Sequence, residues 1–333
     1  LRPRLLRLLA DPYLLLIVSM VALASVLPAR GAVAPVFDGV TRVAIGLVFF
    51  LHGARLSRQA VVRGLTHWRL HLLVLVATFG LFPLLGLGIA ALPAAVTPPA
   101  LAAGIIFLCC LPATIQSSIG FVSIARGDVA SAVASATASN LLGVFLTPAL
   151  VALTLHAQGG GVSGGGVSGA AVQAIVLQLL IPFLAGQLLR PWIGDWVAAQ
   201  ARTLSFADRG SILLVVYTAF SHAVLSGVWR EVGVLDVARL FFLCCALLAV
   251  VLTVTGTLAR LFSFSKEDEI VIVFCGSKKS LASGVPMAAV LFAPALAGQM
   301  LLPVLLFHQI QLMTCAVIAQ RYARRLQVEG NTL

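Results

Sequence analysis

Lys278 and Lys279 stand side by side inside an apolar run. Ile270 to Phe274 leads in and Ala288 to Phe292 leads out; between them lies Phe274-Cys275-Gly276-Ser277-Lys278-Lys279-Ser280-Leu281-Ala282-Ser283-Gly284-Val285-Pro286-Met287. Of the 333 residues, 60% are hydrophobic and only 10% charged, with mean hydropathy +1.07. Soluble domains carry about 25% charged residues, so this composition describes an integral membrane protein. The lysine pair then falls in the middle of a span. A lysine at the bilayer centre costs roughly 2.5–3.5 kcal/mol on insertion scales. Gly276, Gly284 and Pro286 allow the helix to break there. Broken helices at membrane depth persist only against protein or a water-filled cavity, so the stretch reads as lining a site. The plainer alternative is a pair of lysines reaching from a helix end to the interface.

The net charge of +11 does not make a nucleic-acid binder, because the basic residues are scattered between apolar runs and form no patch interleaved with aromatics. Cys109, Cys110, Cys244, Cys245, Cys275 and Cys315 all lie in apolar runs without CxxC or metal-ligand spacing, and read as small buried hydrophobes. The first apolar run lacks a convincing cleavage site, so no signal peptide is assigned. No paired carboxylates, Ser-His-Asp set or metal cluster suggests an enzyme.

A span needs about 20 mostly apolar residues. Ten are read: 11–27, 36–53, 68–92, 99–125, 128–156, 170–189, 210–228, 237–262, 268–292 and 294–320. A flexible glycine-serine loop, Gly159 to Gly169, separates the fifth and sixth, and Pro191 to Arg209 reads as a polar interfacial helix. Pro83 is expected to kink the third span. With the N-terminus in the cytoplasm, sixteen of the 22 lysines and arginines fall in cytoplasmic segments and three, Arg30, Arg230 and Arg239, on the other side. That bias places both termini in the cytoplasm.

Ten spans divide into five and five, and an odd number per half inverts the second half. The fourth span of each half is interrupted: one by Leu111-Pro112-Ala113-Thr114-Ile115-Gln116-Ser117-Ser118, the other by the lysine stretch. Matched interruptions in two halves are the best sequence pointer to a transporter binding site. The expected fold is thus all-α and polytopic, two inverted five-helix repeats whose broken spans meet at mid-membrane. Thr114, Gln116, Ser277, Lys278, Lys279 and Ser280 are the candidate substrate ligands. Ser117, Ser118, Ser131, Ser135 and Asn140 are candidate cation ligands, hydroxyls and an amide of the hard-oxygen kind that holds sodium at a broken helix; Ser131, Ser135 and Ser139 share one helix face. Small hydroxyls also let membrane helices pack closely. Asp38 is expected to pair with Arg42, four residues on, and His222 and His308 read as hydrogen-bonded packing residues.

These motifs, with Ser139-Asn140-Leu141-Leu142-Gly143-Val144-Phe145, resemble the bile acid:sodium symporter family across essentially the whole chain, and more narrowly its divergent member 7 branch. The resemblance implies a panel domain, residues 11–55 and 170–228, and a core domain, residues 67–156 and 236–320, with the broken spans crossing in the core. It implies a small organic anion as substrate, symported with sodium, with no cofactor besides that ion and the lipid bilayer as surroundings; the oligomeric state is left open. Transporting members carry a sodium-binding glutamate where this chain has Phe274, and their glutamine and asparagine align with Lys278 and Lys279. Ser117 and Ser118 align with a sodium-binding serine-asparagine pair. The fifth-span hydroxyl ligands fall on Ser131 and Ser135 without a gap, or on Ala132 and Ala136 if Gly127-Asp128 is matched to the family's turn. The residue exchange predicts that a lysine ammonium replaces sodium, with Lys279 in that role and Lys278 toward the substrate. Like charges 4 Å apart repel by roughly 4 kcal/mol at an effective dielectric of 20, which disfavours sodium beside either. Two further readings stand: sodium-independent or proton-coupled transport, and a non-transporting membrane regulator tied to calcium handling.

Overall fold

The computed structural model describes residues 12–55, 67–157, 173, 176–227, 230 and 232–329. Arg2, Arg4, Arg7, Arg58, Arg63, the Gly159–Gly169 loop and the expected boundaries at 11, 170 and 228 lie outside the described residues. Among those described there is no strand. In lipid every backbone group must be satisfied within the protein, and a helix does so within one segment.

The helices run in order as α1 (Pro12–Val26), α2 (Ala34–Arg55), α3 (Trp68–Val76), α4 (Phe82–Ala90), α5 (Pro99–Cys110), α6 (Gln116–Ile124), α7 (Val129–Ala157), α8 (Ile181–Ala199), α9 (Ala201–Leu225), α10 (Val234–Leu261), α11 (Lys266–Gly276), α12 (Leu281–Leu291) and α13 (Pro294–Glu329). Seven stretches are long and apolar enough to cross a membrane: Gly31–Arg55, Trp68–Ala90, Val129–Leu155, Val176–Ala199, Val234–Leu261, Lys266–Leu291 and Pro294–Arg324. Three of the ten spans read from sequence are not among them. In α1 the apolar stretch is Leu15–Val26, and α5, Pro99–Cys110, ends at the break. Helix α9 opens on Ala201-Arg202-Thr203-Leu204-Ser205-Phe206-Ala207-Asp208-Arg209, which lowers its mean hydropathy. The protein is a multi-pass membrane protein.

Three local expectations change. The segment Pro191 to Arg209 is no separate interfacial helix: α8 runs through Pro191 to Ala199, turns at Gln200, and α9 begins at Ala201. The irregularity of the third span is a π-turn, Ala77–Leu81, with Pro83 seated in the first turn of α4, where its missing N–H withholds a donor from the turn before it. And Asp38 does not pair with Arg42; its Oδ1 lies 2.8 Å from Nε2 of His222 on α9, which gives that histidine the bonded packing role expected of it.

Helix α2 packs along α8, and α9 against α1 and α2; α3 to α7 and α10 to α13 pack on one another, and α9 leans on α12 and α13. The α2–α8 seam is made by glycine. A Cβ at Gly53 would run into the carbonyl of Phe183, and one at Gly186 into the carbonyl of Phe50. Small residues that let backbones approach are how helices associate where lipid offers no hydrophobic drive. A second tie is made by Glu269, which is buried and accepts from Arg260, Lys266 Nζ at 2.7 Å and the Tyr322 hydroxyl at 2.8 Å. That carboxylate ties α10, α11 and α13 together.

Gly53→Ala and Gly186→Ala should each lower the thermal midpoint in detergent by several degrees, since overpacking costs about 1–3 kcal/mol. Gly88→Ala is the control: a Cβ there meets nothing within 4 Å, and alanine raises helix propensity. Differential scanning fluorimetry of the three variants checks this.

Candidate functional site

A helix that stops at mid-membrane leaves its last carbonyls without intrahelical donors, and each must find another. Helix α5 stops at Cys110 because Pro112 lacks an N–H and pushes Leu111 into an extended conformation, φ −70°, ψ 153°. Every carbonyl of the break then finds a donor from elsewhere. Cys109 O and Leu111 O accept from Lys279 Nζ, both at 2.7 Å. Cys110 O accepts from the Thr147 hydroxyl at 2.9 Å. Pro112 O accepts from Ser280 N at 2.8 Å, and Ala113 O from Asn140 Nδ2 at 2.7 Å.

The second break, residues 277–280 between α11 and α12, is answered in the same way. Phe274 O accepts from Ser118 Oγ at 3.2 Å, and Val273 O from Ser277 Oγ at 2.6 Å. Gln311 of α13 brackets the backbone of Lys279: its Oε1 accepts from Lys279 N and its Nε2 donates to Lys279 O, each at 2.9 Å. The same Nε2 lies 3.0 Å from His308 Nδ1. The Ser280 hydroxyl caps α12 by accepting from Ser283 N at 3.2 Å. The two breaks are thus joined directly, by Ser280 N to Pro112 O and by both lysines.

Neither lysine faces open space. Lys279 is 1% exposed, with Nζ on Thr78 O, Cys109 O and Leu111 O and 4.1 Å from the centroid of Phe82. Lys278 is 0% exposed; Nζ donates to Ser117 O at 3.0 Å and lies 4.0 Å from the Phe121 centroid and 5.1 Å from that of Phe274. Cation–π contact of this kind is worth ~2 kcal/mol when desolvated. Lys278, Lys279 and Ser277, expected among the substrate ligands, are thus buried with protein partners and do not line the cavity described below. Carbonyls left by the breaks, and aromatic faces, hold the two ammonium groups; Ser277 is a buried back-bonding hydroxyl.

A cavity of about 560 Å³ lies against the breaks. Its floor is Thr114, Ile115, Gln116, Ser117, Ser280, Leu281, Ala282 and Ser283, the opening turns of α6 and α12. Thr137, Asn140 and Val144 of α7 and His308 and Leu312 of α13 form one wall. Facing them are Val48, Phe49 and His52 of α2, Phe183 of α8 and Ile212 of α9. Tyr13, Arg55, Ser205, Asp208 and Arg209 complete the lining. Arg55 Nη1 is in contact with Asp208 Oδ2, while the Arg209 guanidinium stacks 5.2 Å from the Tyr13 centroid. Two arginines against one aspartate leave this part of the cavity with one positive charge in excess. Of the candidate substrate ligands, Thr114, Gln116 and Ser280 line the cavity; Arg55, Arg209 and His52, which also line it, were not among the residues read from sequence. The arginines had been read only as topology markers, and their placement on α2 and α9 opposite the breaks follows from packing alone.

The hydroxyls proposed for a cation have other partners. Ser117 Oγ lies 3.1 Å from Thr114 Oγ1, and Ser118 Oγ is on Phe274 O. Ser131 Oγ donates to Asp128 Oδ2 at 2.5 Å, and Ser135 Oγ lies 2.7 Å from His71 Nδ1. Burial alone would raise the Asp128 carboxyl, but the Ser131 hydroxyl and the N–H groups of Ser131 and Ala130 outweigh it and hold it below the usual range. Asn140 Oδ1 accepts from Ser283 Oγ at 2.8 Å. The glutamate position of the resembling family holds the ring of Phe274, 0% exposed and wedged between Phe121 and Tyr322 at 6.0 and 6.1 Å. Among the described residues no cluster of His, Cys, Asp and Glu could hold a metal ion.

The SBF-like CPA transporter family model matches residues 11–324. This chain belongs to that family. It is 58% identical to the uncharacterized protein PA2026 of Pseudomonas aeruginosa over 319 residues, 96% of this chain and 95% of the relative. It is 52% identical over 317 residues to the Escherichia coli protein named "Putative symporter YfeH", covering 95% and 94%. Sodium/bile acid cotransporter 7 of Rattus norvegicus is 24% identical over 283 residues, 84% of this chain and 82% of that one. The family resemblance read from the broken spans, down to its member 7 branch, is thereby upheld.

Gln311→Met should destabilise the protein, because it strips partners from Lys279 N and Lys279 O at once and each buried orphan costs about 1–3 kcal/mol. Gln116→Ala, whose exposed side chain faces the cavity, should leave the midpoint within about a degree. Thermal unfolding of the two variants side by side reads the difference.

Proposed function

We propose that this protein is a secondary active transporter of a small amphipathic organic anion. The observation that carries the reading is the cavity at the breaks. Two helix N-termini, at Gln116 and Leu281, open onto it, and a helix N-terminus favours negative charge. Thr114, Gln116, Ser117, Asn140, Ser280 and Ser283 offer hydrogen bonds beside them, and Arg55 and Arg209 add the surplus positive charge. Phe49, Phe183, Leu141, Val144, Ile212 and Met287 supply an apolar surface. The volume falls within the roughly 300–1,000 Å³ of small-ligand pockets. An anionic head at the helix termini and an apolar body against α2, α8 and α9 fit this division.

On this reading the chain crosses the membrane ten times as two inverted five-helix repeats, with both termini cytoplasmic in the bacterial inner membrane. Residues 11–55 and 170–228 form a panel, and residues 67–156 and 236–320 form a core. Substrate lies between panel and core, and access alternates as one moves against the other. The names of the E. coli and rat relatives support transport with a coupled ion. Arg55 and Arg209 lie at the end that the charge bias places in the cytoplasm, so the cavity corresponds to an inward-facing state.

Purified protein in proteoliposomes should take up at least one member of a panel of labelled carboxylates, sulfates and conjugated steroids, saturably and with counterflow. Arg209→Gln should raise the KM for that anion by about tenfold, the loss of ~1.4 kcal/mol of charge-assisted binding, and Gln116→Ala should raise it by less. Absence of saturable uptake across the panel, with intact folding, would turn the reading toward a non-transporting regulator.

A further inference from the structure

The cage around Lys279 Nζ is built as an alkali-cation site would be. Three carbonyl oxygens converge on one point at 2.7, 2.7 and 2.8 Å. Each is left over from helix geometry. The Phe82 N–H donates to Ala77 O across the π-turn, and Pro83 has no N–H, so Thr78 O has no helical donor. Ala113 N, four residues on from Cys109, donates to Ser139 Oγ at 2.9 Å, which leaves Cys109 O free. Leu111 is the extended C-cap of α5, so its carbonyl lies outside the helix. Cys109 and Leu111 sit at the negative end of the α5 dipole, and the face of Phe82 adds a fourth attractive surface. Among the described residues the ammonium meets no carboxylate.

We infer that Lys279 is a tethered cation. Its ammonium occupies a carbonyl cage that would take a free monovalent cation if the side chain were absent, so the folded protein requires no sodium ion at the helix crossing. An ammonium and a sodium ion carry the same charge and seek the same oxygens. The chemistry of the donor set supports the inference: three neutral oxygens balance a single positive charge through dipoles and leave no room for a second cation. The other hydroxyls proposed as cation ligands, on Ser118, Ser131 and Ser135, are committed to partners outside this cage. Lys278 differs in kind, with one carbonyl and two aromatic faces.

The inference is independent of whether the cavity carries substrate, and its test needs none. Thermal unfolding of purified wild-type protein is followed in choline, sodium and methylammonium chloride at one ionic strength. The wild-type midpoint should be the same in all three. Lys279→Ala opens the cage; its midpoint should be lower in choline and rise saturably, by several degrees, with methylammonium or sodium. Lys279→Gln, which keeps a neutral donor, carries the comparison if the alanine variant does not fold. Lys278→Ala should show no such rescue. A saturable rise of the wild-type midpoint with sodium overturns the inference, and so does a Lys279 variant that folds but responds to no cation, since the lysine is then a staple and the cage no cation site.

Discussion

One ammonium on three carbonyl oxygens lets α5 end where it does and ties that end to the π-turn Ala77–Leu81. The comparison of magnitudes is direct. Leaving a buried carbonyl without a donor costs about 1–3 kcal/mol, and three of them meet at Lys279 Nζ. Placing a lysine at the bilayer centre costs roughly 2.5–3.5 kcal/mol. Three such orphans together would cost about 3–9 kcal/mol, so the contact that satisfies them offsets the cost of burying the lysine. Every other polar contact at the crossing extends the same logic. Thr147, Asn140, Ser280 and Gln311 each supply a donor that the interrupted backbone lacks.

The positive charge of this chain is divided by task. The two lysines are consumed by structure, while Arg55 and Arg209 face the cavity. A guanidinium suits that place, because its five donors and weak hydration favour carboxylate, sulfate and phosphate groups. The helix termini at Gln116 and Leu281 add partial positive charge that is not titratable. The cavity is therefore electropositive even though the nearest formal charges in sequence, at 278 and 279, are hidden from it.

Much of this was legible beforehand. Proline at 112 and glycine at 276, in matching positions of the two halves, marked both breaks, and the structure places them in contact through Ser280 N and Pro112 O. The lysine directions were not legible. Neighbouring residues leave a regular helix about 100° apart, but residues 277–280 are not helical, so no periodic rule applies to them. Gln311 could have been found, since a polar amide in the middle of a span needs a partner. Arg55 and Arg209 could not: Arg55 ends α2 and Arg209 follows the polar opening of α9, places where arginine is ordinary. Asp38 and His222, 184 positions apart, pair through tertiary packing against which the local four-residue spacing to Arg42 carried no weight.

The glycine seam between α2 and α8 has a consequence for how the chain is made. Gly53 and Gly186 bring backbone against backbone, yet α8 leaves the ribosome after α3 to α7 have all been synthesised. Helix α2 must therefore enter the bilayer with its narrow face bare and wait there, shielded only by lipid or by a chaperone. Assembly of this protein has an obligatory late event, the closure of a seam between its earliest and its middle helices. A chain that ends before α8 keeps that surface without its partner.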